Sequence, residues 1–507
     1  MAKIKNGELK KRDILNKLIE DNLLNMEEAI KLLKTSKPTF YRWLRTGKIK
    51  GMKVGRQWRF QREDIFRFLK GMDPKIALTA DPLPLLNELQ KILQGMGQKQ
   101  DSRTAKKSDP IKNIVALLIE IAHFSIASDI HIAPNYDRDS GWKMLIRTRI
   151  DGVLRILAEG DIRLLPAIIE RWKTMSALNT GITHLPQDGR IKVKIANEDI
   201  DFRISCLPVI KGESLTARLL HKRDDIFSFK NLEFSSGDEA KLRRLIKSTH
   251  GIIFVNGPTG CGKTTTHYTC LSEIASPQIK SMTIEDPIEM VLPWLVQTQI
   301  RLKDGMTFAA GLRACLRQDP DVIMIGEVRD HESLELIFRT ALTGHLVFTT
   351  LHTLDSAHAL KRIVDIGIEP FVVGDASLAL LSQRLVRKLC KKCSKKSKID
   401  QKTGALIRQT IRNGGVSEKE IGVDFREPVG CPDCRNMGYL GRTLISEIMT
   451  MSPAISASLS RGVPVEELTR LAVAEGMSTM AADGVRKASH GITTLAEITR
   501  VRSLSSL

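Results

Sequence analysis

The residues best equipped for chemistry in this 507-residue chain form one unbroken run, Gly257-Pro258-Thr259-Gly260-Cys261-Gly262-Lys263-Thr264-Thr265. The run has the spacing GxxxxGK[ST]. Its glycines let backbone N–H groups turn toward phosphates, and a helix starting at the lysine adds the positive end of its dipole. Lys263 is then placed for the β- and γ-phosphates of ATP, and the Thr264 hydroxyl for Mg²⁺. Cys261 stands where serine is often seen, a change that leaves the backbone cradle intact. Hydrolysis also needs a carboxylate to orient water. About sixty residues on, the apolar stretch Val322–Ile325 ends in Gly326-Glu327. Glycine replaces the aspartate that usually precedes such a glutamate, so by shape alone this match is weak.

A second constellation is cysteinic. Cys390 and Cys393, then Cys431 and Cys434, form two CxxC pairs. Together they supply the four thiolates of a tetrahedral structural Zn²⁺ site, with no open position for catalysis. The segment between them is longer than in compact zinc ribbons, and two redox pairs are the alternative. Cys206, Cys261, Cys270 and Cys315 read as scattered reduced thiols.

These groups need a scaffold. From Gly237, strands near 252–256, 281–284, 322–326 and 346–350 alternate with helical segments, which predicts a parallel sheet with crossover helices. With the glycine-rich run on it, the expected fold is α/β with a RecA-like P-loop NTPase core over 236–389. Residues 111–235 predict an α+β domain with helices at Ile111–Phe124 and about 164–178. Its strands lie near 143–149, 153–157, 191–195 and 201–205. Residues 390–507 read as the four-cysteine module with a mostly helical C-terminal region. Residues 73–110 read as a linker containing one helix near 83–93 and a polar, aperiodic tail.

The first 72 residues stand apart. They hold 19 Lys and Arg against 8 Asp and Glu, more than half of the chain's +20 net charge. Such an excess favours polyanions, whether nucleic acid, phosphorylated ligands or an anionic membrane face. Within 26–70, two short helices flank Thr35-Ser36-Lys37-Pro38, with Ser36 as a cap for the second. Two short strands around Gly55 and a further helix follow. Hydrophobic content of 42% suits globular cores. No apolar run reaches the roughly 18 residues needed to span a bilayer, so a cytoplasmic location is the expectation.

The core motifs resemble the type II secretion and type IV pilus assembly ATPases. Asp319-Pro320-Asp321-Val322-Ile323-Met324-Ile325-Gly326-Glu327 resembles that family's Walker B segment, which carries glycine before the glutamate. Glu285-Asp286-Pro287-Ile288-Glu289 resembles its aspartate box, and Thr343-Gly344-His345 through His352-Thr353 its histidine box. Ser128-Asp129-Ile130-His131, Arg149-Ile150-Asp151-Gly152 and Pro186-Gln187-Asp188-Gly189-Arg190 are similar to its preceding domain. Gly438-Tyr439-Leu440-Gly441-Arg442 and Asp483-Gly484 fit its C-terminal region. The likeness covers about 111–503.

It implies Glu327 as the catalytic carboxylate, Glu289 as a metal- or water-orienting acid and His352 as a link to nucleotide state. Arg203 and Arg218 match arginines that reach toward the phosphates from the preceding domain, where a cation neutralises γ-phosphoryl charge. It further implies a homohexamer, peripheral to the inner membrane, working on a platform or docking protein of a secretion or pilus system. Simpler readings stand beside these. Glu285 and Asp286 could open a loop, His345 could be a packed core histidine, and the two arginines could form surface ion pairs.

Residues 26–70 resemble the winged helix-turn-helix of the excisionase group. The resemblance places Lys37, Thr39, Tyr41 and Arg42 near a DNA groove, and Arg56 and Arg59 of the wing near phosphates. The domain either binds DNA or serves as a protein docking module. A DNA-linked ATPase or regulator is therefore the alternative to the secretion motor, and a subunit that binds nucleotide without turnover is a third reading.

Overall fold

The computed structural model describes residues 23–45, 49, 51–54, 57–69, 80–98, 109–195, 198–220, 227–328 and 330–501. The chain divides into two compact units, Met1–His221 and Lys222–Leu507.

The first unit begins with a small winged domain. Strands β1 (Leu23–Asn25), β2 (Met52–Val54) and β3 (Gln57–Gln61) pair antiparallel in the order β1-β3-β2. Helices Met26–Leu32, Lys37–Arg45 and Arg62–Leu69 pack on them. Asn25 and Glu28 form a reciprocal capping box at the first helix. Phe40, Phe60, Ile49 and Ile65 close the core, with Phe40 edge-on to Phe60 at 5.0 Å. β1 has no sequence signal because three residues are too few for a period of two to show.

The rest of this unit is a six-stranded antiparallel sheet. Its strands are β4 (Ala127–Asp137), β5 (Gly141–Ile150), β6 (Val153–Asp161), β7 (Gln187–Ile195), β8 (Glu198–Val209) and β9 (Gly212–Leu220), in the order β6-β5-β4-β9-β8-β7. One face is apolar, with Ile130, Ile132, Ile146, Phe202, Ile204 and Ala217 buried beneath helices Pro110–Phe124 and Leu165–Met175. Asp109 accepts the Ile111 N–H and Pro110 occupies the first turn, which starts the longer helix there. That helix buries residues nearly all round because a further helix, Leu83–Gly95, covers its other side with Leu85, Leu89 and Leu93. The segment 73–110, read as a linker, thus contains a helix of the domain core. Apolar spacing predicted that helix, but its packing partner lies outside the segment.

The second unit is built on a seven-stranded sheet. Its strands are β10 (Gly251–Asn256), β11 (Ser281–Glu285), β12 (Leu295–Gln299), β13 (Val322–Ile325), β14 (Leu346–Leu351), β15 (Ser377–Leu389) and, after a two-stranded insert of β16 (Lys395–Lys396) and β17 (Arg426–Glu427), β18 (Tyr439–Thr450). The order is β12-β11-β13-β14-β10-β15-β18, parallel except that β18 runs antiparallel to β15. β10, β11, β13 and β14 are buried at every position, as strands covered on both faces must be.

Two boundaries differ from the sequence expectation. Phe229, Leu232 and Phe234 pack into the second unit's core with Ile253 and Phe348, so 227–235 belongs with the sheet, not with the preceding domain. β18 lies beyond Cys390, in the region expected to be mostly helical. Its residues face three separate cores, Leu444 and Ile448 one, Met449 another and Ile445 a third, so no alternation marks it as a strand.

Candidate functional site

β10, an interior strand, delivers the glycine-rich run to the C-terminal end of the parallel strands, and helix Lys263–Ile274 leaves it. Gly262 caps that helix at φ +92°, a left-handed conformation that favours glycine. Pro258, Thr259, Gly260 and Thr264 are exposed, whereas Gly257 and Cys261 are buried. Lys263 Nζ donates to the Gly257 carbonyl at 2.7 Å and the Pro258 carbonyl at 3.2 Å, folding the ammonium over the loop. Burial pulls the Lys263 pKa down, opposed by the field of the Glu327 carboxylate. Burial likewise pushes the Cys261 thiol up, so this cysteine stays protonated.

Glu327 follows β13, two strands from the loop in the sheet order. The residue before it is closely packed. A Cβ on Gly326 would make a tight 3.3 Å contact with the Ile284 carbonyl of β11, which already accepts the Gly326 N–H at 2.9 Å. The Thr350 hydroxyl of β14 donates to the Gly326 carbonyl at 2.7 Å and fixes the peptide from the other side. His352, just past β14, brings Nε2 to 3.7 Å from Glu327 Oε2. Lys263, Glu327 and His352 thus form one electrostatic group, which can hold polyphosphate and orient water.

The aspartate-box residues separate. Glu285 is buried and accepts from Tyr268 Oη at 2.5 Å, Thr283 Oγ1 at 2.5 Å and Gln297 Nε2 at 3.2 Å. It ties helix Lys263–Ile274 to β11 and β12, a structural role. Asp286 and Glu289 lie exposed on the following turn. Tyr268 and Gln297 were not singled out by sequence, since nothing local marks a residue whose partner lies 12 or 17 positions away. His345, half-buried just before β14, has Nδ1 2.9 Å from the Thr340 carbonyl.

Arg203 and Arg218 belong to the first unit. They are direct cross-strand partners on β8 and β9, and the same register row carries Arg190, Asp129 and Arg149. Buried Asp129 accepts from Arg218 Nε at 2.8 Å and faces Arg149 Nε at 3.6 Å. This places a row of guanidinium groups on the polar face of the sheet. Burial lowers the pKa of His131, the field of Asp129 opposes it, and the arginines nearby act in the same direction as burial.

The four cysteines converge. Sγ separations are 3.8 Å for Cys390–Cys431 and 3.7 Å for both Cys393–Cys434 and Cys431–Cys434, and all four lie within 4.8 Å of one another. A tetrahedron with zinc–sulfur bonds of about 2.3 Å has edges of about 3.8 Å, whereas a disulfide needs about 2.05 Å. The set fits a metal. Burial works against a Cys434 thiolate, but N–H donors of Cys431 and Gly438, each at 3.2 Å, help bring its pKa down to about 6.

In the winged domain, Ser36 Oγ accepts the Thr39 N–H and caps the helix Lys37–Arg45. Lys37, Tyr41 and Arg42 are exposed on it, and Thr39 is half-buried. Arg59 folds back on Gln57 Oε1 at 2.7 Å and the Trp58 carbonyl. Arg56 lies outside the described residues. Among the described residues no helix is long and apolar enough to cross a membrane.

Residues 104–500 match the family described as Type II/IV secretion system protein, and residues 23–73 match the helix-turn-helix domain family. The chain is 38% identical over 416 residues to the putative type II secretion system protein E of Escherichia coli, covering 82% of each. It is 40% identical over 388 residues to the type IV pilus assembly ATPase PilB of Thermus thermophilus, spanning 76% of this chain and 42% of that protein. Among solved structures, the ATPase DotB of Yersinia pseudotuberculosis has a similar fold, with a TM-score of 0.57 at 21% identity over 78% of this chain and 94% of that one.

Proposed function

Because the chain belongs to the type II/IV secretion system protein family, we propose that it is an ATP-hydrolysing motor that powers assembly of a type IV pilus or a type II secretion pseudopilus. The observation that carries this reading is the GxxxxGK[ST] run held between β10 and helix Lys263–Ile274, with Glu327 and His352 3.7 Å apart just past the neighbouring strands β13 and β14. In the proposed reaction, backbone N–H groups of 257–265 and Lys263 hold the β- and γ-phosphates of ATP, and Glu327 orients the attacking water. Thr264 holds Mg²⁺, which neutralises charge on the phosphates when bound. His352, beside Glu327, links the carboxylate to the β14 segment. Glu289 is assigned to the same acidic region. Arg203 and Arg218 are assigned as the cationic groups that neutralise charge on the γ-phosphoryl group. Zn²⁺ on Cys390, Cys393, Cys431 and Cys434 is structural. The motor is assigned as a homohexamer in the cytoplasm, docked on an inner-membrane platform protein. Glu327→Gln should keep Mg-ATP binding while lowering turnover about 100-fold or more. Near-normal phosphate release in that variant would refute the assignment.

A second reading rests on the winged domain. The capped helix with exposed Lys37, Tyr41 and Arg42 has the form of a DNA-reading helix, and the first 72 residues hold most of the net positive charge. It is tested by fluorescence anisotropy with duplex DNA across a salt series. Binding whose logarithm falls linearly with the logarithm of salt concentration supports it, and absence of binding at low salt removes it.

A further inference from the structure

The sequence singled out the glycine-rich loop but nothing that holds it from the opposite side. β15 does. Its pairing with β10 ends at Asn256 and Ser382, so Gln383 lies one residue on, where β10 gives way to the loop. Gln383 is 1% exposed and both ends of its amide are engaged. Nε2 donates to the Cys261 carbonyl at 2.8 Å, and Oε1 accepts from the Thr266 hydroxyl at 2.8 Å. A carbonyl can only accept, so the Cys261 bond fixes which way the amide points.

The contact continues through the backbone. A Cβ on Gly257, at φ +145°, would come within 2.7 Å of the Gln383 carbonyl oxygen, so the first loop residue rests on β15 and must be glycine. The same oxygen accepts from Arg384 Nη1 at 3.0 Å, and Arg384 Nη2 donates to the Leu354 carbonyl at 3.0 Å, two residues beyond His352.

We propose that Gln383 is a positioning residue for nucleotide binding, a buried clamp that sets the Cys261 carbonyl and the first turn of helix Lys263–Ile274 in register. With both fixed, the N–H groups of 260–264 converge on one phosphate position. The clamp acts through the loop and touches no phosphate. It rests on the reading of 257–265 as the phosphate site.

Gln383→Leu keeps the volume and removes both bonds, and Thr266→Val removes one. The full chain is titrated with Mg-ADP by calorimetry, alongside steady-state ATP hydrolysis and the thermal midpoint without nucleotide. Gln383→Leu should raise the ADP Kd and the ATP KM about tenfold while kcat at saturation stays within about twofold. Thr266→Val should give a smaller rise in the same direction, and it carries the test if the leucine variant fails to fold. The double variant should weaken binding by less than the two single effects combined. An unchanged Kd overturns the proposal. So does a lower thermal midpoint with KM unaltered, which marks an ordinary core residue. Lys263→Ala separates the two readings. If it binds Mg-ADP like wild type, the phosphate-loop assignment fails on its own account.

Discussion

Glu447, on β18, serves two helices at once. Its carboxylate accepts the Ser356 N–H at 2.8 Å and the Met480 N–H at 3.1 Å, and these residues open helices Ser356–Asp365 and Met480–Ser489. Each helix already has a side-chain cap further in. Asp355 takes the His358 N–H and Thr479 takes the Ala482 N–H. The first amide of each would be an orphan without Glu447. Glu447 is 4% exposed, so water cannot readily replace it. A hydrogen bond to a charged group contributes about 1.5–3 kcal/mol, so losing both in Glu447→Ala should cost roughly 3–6 kcal/mol. In a unit of this size that lowers the thermal midpoint by roughly 10 °C. Glu447→Gln should recover less than half of the loss, since one acceptor oxygen serves one amide and the NH₂ group faces the other. Urea and thermal unfolding measure both variants, and hydrogen exchange at Ser356 and Met480 locates the effect. A loss below about 1 kcal/mol, or a glutamine variant as stable as wild type, would refute the reasoning.

Two further outcomes follow from the C-terminal half. Burial opposes ionisation of Glu497, but hydrogen bonds from Arg387 and Arg500 outweigh it and hold its pKa at about 2, below the usual 4.5. The unfolded chain therefore takes up this proton first on acidification. Its stabilisation, of the order of 3 kcal/mol, is complete above pH 4.5 and is lost as pH falls toward 2. Urea midpoints across that window should fall more steeply for wild type than for Glu497→Gln, and parallel curves would show that Glu497 is not the titrating group. For the cysteine tetrahedron, elemental analysis should find about one zinc per chain, and Cys434→Ser should lose it with a lowered thermal midpoint. A metal-free protein of unaltered stability would leave the four thiols without a structural role.

What the sequence revealed tracks how local the cause is. The loop 257–265 was legible because its glycines and lysine fall in one contiguous run between a strand and a helix, and the cysteines because each pair is three residues apart. Glu327 could be placed only as a carboxylate at a strand end. The tight packing of Gly326 before it is set by the Ile284 carbonyl, which comes from another strand. Glu285 was read with its box, yet its three donors make it a buried support. Gln383 and Glu447 were not legible, since their partners lie from 33 to 122 residues away in sequence. β18 was hidden for a related reason, because a strand facing three cores shows no period.

Phosphate release by the purified full-length protein at saturating ATP, with and without Mg²⁺ and with and without duplex DNA, tests the central claim most directly. The account predicts Mg²⁺-dependent turnover that DNA leaves unchanged and that Lys263→Ala abolishes. Turnover that appears only when DNA is added would contradict the motor assignment and give the winged domain the leading role, and no turnover under any condition would contradict the ATPase itself.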